Sequence, residues 1–113
     1  VHELSIATAI VEQAERLARA DGADRVSTVT VRVGELAGVV PDALHFAFEV
    51  ARDGTALAGA RLEVEAVPAL AWCGGCGEEF AVGMPPFFWC PHCDRPAQEL
   101  RSGRELEITA VEA

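Results

Sequence analysis

The 113-residue sequence contains no apolar run long enough to span a bilayer and no basic-then-apolar leader. The opening stretch from Val1 to Ala20 is interrupted by Glu3, Glu12, Glu15, Arg16 and Arg19. The expectation is a cytoplasmic protein with no membrane partner. Positive charge is scarce: the 9 basic residues, all arginine, face 18 acidic ones, for a formal net charge of -9. A chain that acidic repels phosphate backbones, so nucleic acid is not an expected partner. The length is too small for a barrel enzyme or a doubly wound dinucleotide-binding domain. There is no internal repeat, no phosphate loop and no nucleophile–base set, so no enzyme is expected.

What is present follows two hydrophobic periods. From Glu3 to about Ala20 the spacing predicts a helix. Leu4, Ala7, Val11, Ala14 and Ala18 form its inner stripe, Ile6, Ile10 and Leu17 flank it, and Glu12, Glu15, Arg16 and Arg19 face water. Asp21-Gly22 ends it. Arg25 to Leu36 alternates as a strand, with Val29, Val31 and Val33 on one side and Thr28, Thr30 and Arg32 on the other. Pro41-Asp42 opens a second helix to about Ala51 that buries Leu44, Ala47 and Phe48. Two more strands are predicted. One runs from Arg61 to Val67 with Leu62, Val64 and Ala66 inward, the other from Glu105 to about Val111 with Leu106, Ile108 and Ala110 inward.

Between those last two strands, from about Leu70 to Gly103, the composition changes. This segment holds all 4 cysteines, most of the prolines and five of the seven aromatics. The predicted fold class is therefore α+β: a three-stranded sheet with two helices on one face, plus an inserted zinc-ribbon-like module. The expected domains are a discontinuous body of residues 1–69 and 104–113, and an insert of residues 70–103.

Cys73 and Cys76 form one C-x-x-C pair and Cys90 and Cys93 another. Each spacing lets a tight turn aim two thiolates at one ion, and two such turns close a tetrahedral four-sulfur site, the arrangement of structural zinc. Gly77 after the first pair and Asp94 after the second suit a positive φ. The insert is too small to fold on an apolar core alone, so metal is expected to supply its folding energy. A redox motif normally sits at a helix N-terminus, and no helical pattern follows either pair, so zinc is favoured over redox thiols and over an iron centre. The neighbouring aromatics read as a small core around the metal. Phe87, Phe88 and Trp89, after Pro85-Pro86, also read as a patch for a partner protein.

Of the three histidines, His45 reads as a helix-surface residue, and His92, inside the second cysteine turn, as solvent-facing. His2 has a chemistry the others lack. The terminal amine of Val1, the His2 backbone nitrogen and the imidazole Nδ1 can close fused chelate rings on one ion, with the Glu3 backbone nitrogen as a fourth donor. Planar nitrogen coordination suits Ni(II) or Cu(II) better than zinc.

Together, His2-Glu3-Leu4-Ser5, Val33-Gly34-Glu35-Leu36, the run from Pro41 to Phe48 and the two cysteine pairs resemble the HypA/HybF family. These are nickel metallochaperones of nickel–iron hydrogenase maturation, and the resemblance covers essentially the whole chain. It implies His2 as the principal nickel ligand, assisted by the Val1 amine and the Glu3 backbone, with Ni(II) as transported cargo. It implies Cys73, Cys76, Cys90 and Cys93 as ligands of a structural Zn(II). The implied partners are a nickel-handling maturation GTPase like HypB and the hydrogenase large subunit that receives the metal. Some relatives also serve urease maturation. The expected state is a monomer or a homodimer. Val1 stands where the family begins with Met. Gly77 and Asp94 stand where some members carry histidine after a cysteine pair. The alternative reading is a zinc-ribbon interaction module with no role in metal transport.

Overall fold

The structure, a computed structural model, describes residues 2–113. In chain order the elements are α1 (His2–Ala20), β1 (Thr28–Gly34), α2 (Pro41–Ala51), β2 (Arg61–Val67), β3 (Leu70–Cys73), β4 (Glu78–Ala81), β5 (Glu99–Ser102) and β6 (Leu106–Glu112). The α+β class and the five elements of the predicted body are present. The short strands β3, β4 and β5 are additions that the sequence pattern does not signal. The chain divides into two compact units. The first holds residues up to Arg32, Val39–Glu65 and Glu107–Ala113, and the second holds Val33–Gly38 and Ala66–Leu106. Among the described residues, no helix is long and apolar enough to cross a membrane.

In the first unit, α1 buries Ala7, Ile10, Val11, Ala14 and Ala18 at helical spacing. Its acidic first turn and basic last turn match the helix dipole. It ends as Asp21-Gly22 predicts: Gly22 takes φ 83, its N–H donates to the Arg19 carbonyl, and the Ala23 N–H donates to Ala18. Helix α2 starts at Pro41, whose missing N–H costs nothing at a first position. Its Leu44 and Phe48 are fully shielded, as is Leu57 beyond it. Each such side chain contributes about 1.5–3 kcal/mol. Leu4 and Leu17, expected in or beside the buried stripe of α1, are instead exposed. Glu15, expected in water, is half-buried and accepts the N–H of Ala56 at 2.9 Å.

The larger sheet has the order β2-β1-β6. Ser27 N–H donates to the Glu112 carbonyl and Gly34 N–H to that of Glu105, so β6 runs antiparallel to β1. Arg61 N–H donates to Ser27, and Glu35 N–H to Val67, so β2 runs parallel to β1. A parallel neighbour demands a crossover, which α2 supplies. The central strand buries Val29, Val31 and Val33, as its alternation predicts. The edge strands are less regular. Leu62 is buried, but Ala66, Leu106 and Ala110 are exposed, contrary to the inward positions expected of them. An edge strand has one neighbour only, and cover thins at a sheet margin.

The second unit is built on an antiparallel sheet of order β4-β3-β5. Ala71 pairs with Phe80 on one side and with Leu100 on the other. Its core comprises Ala69, Ala71, Cys73, Phe80, Val82 and Cys90, with Leu36, Phe88 and Leu100 packed against it.

Candidate metal centre

The four cysteines come from two turns of the second unit. Cys73 ends β3, and the Gly77 N–H closes the turn by donating to the Cys73 carbonyl at 2.8 Å, with Gly77 at φ 66. The second turn repeats this: Asp94 N–H donates to the Cys90 carbonyl at 2.9 Å, with Asp94 at φ 61. Both left-handed positions fall where the sequence predicts them. The His92 N–H donates to the Cys90 sulfur at 3.4 Å, while the residue itself is exposed. The four Sγ atoms lie within 4.8 Å of one another. Cys73 and Cys93 sulfurs are 3.5 Å apart, and those of Cys76 and Cys90 are 3.9 Å apart. A tetrahedral thiolate site with metal–sulfur bonds of about 2.3 Å has sulfur–sulfur edges of roughly 3.8 Å. The donor set therefore fits a zinc-ribbon-like metal site with all positions filled by protein.

Electrostatics favour an ion here. The Cys76 N–H bonded to the Cys73 sulfur brings that thiol down to about 7 against the opposing effect of burial. Hydrogen bonding to Cys93 and Cys90, with burial adding, pushes Cys76 up to about 12. At Cys93 the Arg95 N–H pulls downward, but sharing with Cys73 and burial outweigh it, so the thiol rises. Four sulfurs this close do not all ionise by themselves. A bound divalent cation would reverse that by stabilising every thiolate.

The aromatics beside the site divide between the two roles expected of them. Phe80 is buried and Phe88 packs on the core. Phe87 and Trp89 remain exposed, their ring centroids 5.8 Å apart. The Arg101 guanidinium lies 4.2 Å from the ring centroid of Trp72.

The first unit carries the other proposed ligands. His2 is the first residue of α1 and is exposed. Glu3 follows, and its carboxylate accepts the N–H of Val40, the residue that caps α2, at 3.4 Å. Val1, whose amine completes the chelate set read from the sequence, lies outside the described residues. His45 is exposed on α2, as anticipated. Among the described residues, the four cysteines form the one group of three or more His, Cys, Asp or Glu positioned to share an ion.

Sequence reasoning misses the work of Val33–Gly38. Glu35 N–H donates to the Val67 carbonyl at 2.9 Å and Leu36 N–H to that of Gly103 at 2.6 Å. The Glu35 carboxylate accepts the N–H of buried Ala69 at 3.0 Å. A Cβ at Gly34 would stand 2.2 Å from the carbonyl of Gly103, so only glycine fits without a shift. The available signal was Gly34 and Gly38 bracketing Glu35-Leu36.

The fold and the four-sulfur cluster define a small α+β protein with a zinc-ribbon-like metal site. A family model described as "HypA: Hydrogenase/urease nickel incorporation, metallochaperone, hypA" matches residues 1–113. The chain belongs to that family. It is 50% identical over 112 residues to the hydrogenase maturation factor HypA of Chloroflexus aurantiacus, covering 99% of this chain and 98% of the relative. It is 49% identical to the HypA of Streptomyces avermitilis, covering 98% and 86%. The solution structure of the Ni metallochaperone HypA from Helicobacter pylori shares the fold, with TM-score 0.67 at 20% identity over 97% of this chain and 95% of that one.

Proposed function

We propose that this protein is a nickel carrier of hydrogenase maturation. It binds Ni(II) through His2, the Val1 amine and the Glu3 backbone, holds a structural zinc at Cys73, Cys76, Cys90 and Cys93, and delivers nickel to the hydrogenase large subunit. A nickel-handling GTPase of the HypB kind is its second partner, and the cytoplasm its compartment, where thiols stay reduced. The observation that carries the reading is the family match across residues 1–113.

The chemistry of the residues supports it. The His2 and Glu3 amides lie in the first turn of α1, where no carbonyl four residues earlier accepts them. Their use as metal ligands therefore costs the helix no hydrogen bond. An amine, two amide nitrogens and an imidazole make a planar nitrogen set that selects Ni(II) or Cu(II), whereas four thiolates select zinc. The two ions are sorted by ligand type. Every nitrogen donor competes with protons, so nickel is held more weakly as pH falls. Zinc, when bound, supplies folding free energy to the second unit.

The test is transfer. Nickel-loaded protein is mixed with the nickel-free precursor of a hydrogenase large subunit, with and without the GTPase and GTP. Nickel should move to the precursor while zinc stays behind. Transfer no faster than from a small nickel chelate would contradict the carrier role.

A further inference from the structure

The first turns of α1 and the outer face of α2 leave an apolar groove of about 390 Å³, lined by Glu3, Leu4, Ala43, Phe46, Ala47 and Val50. Its large side chains stand in water: Leu4 is 43% exposed, Phe46 70% and Val50 53%. Residues 43, 46, 47 and 50 follow helical spacing. They form a second apolar stripe beside the one that buries Leu44 and Phe48. The core covers Leu44, Ala47 and Phe48, and leaves Phe46 and Val50, beside half-buried Ala43, without a partner.

The rim of the groove has one sign of charge. Glu3 lines it, Asp42 lies one turn before Phe46, and Glu49 lies one turn after; Asp42 and Glu49 are exposed. Helix α2 contains no arginine, and α1 has none before Arg16. We infer that this groove docks an amphipathic helix of a partner protein, one with large apolar side chains on its inner face and Lys or Arg along its flanks. The apolar positions span about two turns, roughly 10 Å, which suits one or two anchors inserted in the helix-in-groove manner. Charge decides against a second copy of this chain as occupant. A two-fold contact through the groove would set Glu3, Asp42 and Glu49 of each copy against their equivalents, in a molecule of net charge -9. Glu3 and Leu4 directly follow His2, so a helix in the groove lies beside the proposed nickel ligands. That consequence rests on the carrier reading; the docking itself does not.

The probes are two synthetic helices of equal length and the same leucine pattern, one of leucine and lysine and one of leucine and glutamate. Each is titrated into zinc-loaded protein while NMR follows the methyl groups of Leu4, Val40, Ala43 and Val50. The leucine–lysine helix should produce saturable shifts at these methyls, and the leucine–glutamate helix none. Phe46→Ser should weaken binding by about thirtyfold, the loss typical of a truncated aromatic anchor. Its exposed position leaves the fold intact, which circular dichroism checks. Asp42→Asn with Glu49→Gln should weaken binding and flatten its salt dependence, whereas Glu107→Gln on β6 should do neither. His2→Ala should lose nickel yet keep the helix, which separates failure of the groove from failure of the carrier reading. Equal binding of the two helices, or unchanged affinity in Phe46→Ser, would overturn the assignment. So would a concentration-dependent dimer that Phe46→Ser dissociates.

Discussion

Removing the Glu35 carboxylate isolates one bond of the second unit. Its oxygen is the acceptor for the N–H of Ala69, at 3.0 Å, and Ala69 is completely shielded from solvent. Glu35→Ala deletes the acceptor and leaves a buried donor without a partner, at a cost of about 2 kcal/mol. Glu35→Gln keeps an oxygen in place and loses only the charge, so its cost is about 1 kcal/mol or less. At about 4 °C per kcal/mol, the alanine variant should melt about 8 °C lower and the glutamine variant about 4 °C lower or less. Both tryptophans of the chain, Trp72 and Trp89, lie in the second unit, so their fluorescence follows its unfolding alone. Thermal melts of the zinc-loaded protein are the assay. An alanine variant that melts with the parent, or a glutamine variant as damaged as the alanine one, would refute the role given to this bond.

Three further outcomes follow from the same geometry. Gly34→Ala places a methyl 2.2 Å from the Gly103 carbonyl and should destabilise the second unit by about 2 kcal/mol, read from the same fluorescence melts. Cys90→Ser should abolish zinc retention and lower the melting temperature of the second unit in the fluorescence assay, while far-ultraviolet circular dichroism keeps the signal of α1 and α2, which both belong to the first. In metal-free protein at pH 8, Cys73, at about 7, is mostly ionised, whereas Cys76, at about 12, and Cys93, above 9.0, are protonated. Zinc must displace at least the protons of Cys76 and Cys93, so calorimetry in buffers of different ionisation enthalpy should report about two protons or more released per zinc. Affinity should accordingly fall with acidification. The fold itself responds in opposite senses. Lowered Cys73 contributes stability above 9.0 that is lost as pH falls toward 7, and raised Cys76 contributes stability below 9.0 that is lost as pH rises toward 12.

Much of the fold is legible because single residues there obey local rules. The Asp21-Gly22 stop, Pro41 at the start of α2, the Val29-Val31-Val33 alternation and the left-handed Gly77 and Asp94 each depend on a few neighbours. The cysteine cluster is legible for the same reason, since each pair is set by its own turn. The strands β3, β4 and β5 are not. Four-residue segments such as Glu78–Ala81 carry too little alternation, and they become strands through pairing across Ala71–Phe80 and Ala71–Leu100. Glu15 reads as a solvated charge, and the role of Glu35 goes unread, because their partners, the N–H groups of Ala56 and Ala69, are 41 and 34 residues distant. The groove at Leu4, Phe46 and Val50 is hidden for another reason: Leu4 falls at core spacing in the first helix, and periodicity assigns no role to Phe46 and Val50. Only the packing shows which apolar stripe of α2 is covered and which is open.

The central claim is that the N-terminal residues carry nickel, and one titration tests it most directly. Ni(II) is added to zinc-loaded protein with a free amine, to the same protein with that amine acetylated, and to His2→Ala, while the absorption of planar nickel(II) is followed. The free-amine protein should take up one nickel with the planar spectrum, and both altered forms should lose it without losing zinc. Equal uptake by all three would place the nickel elsewhere and contradict the account.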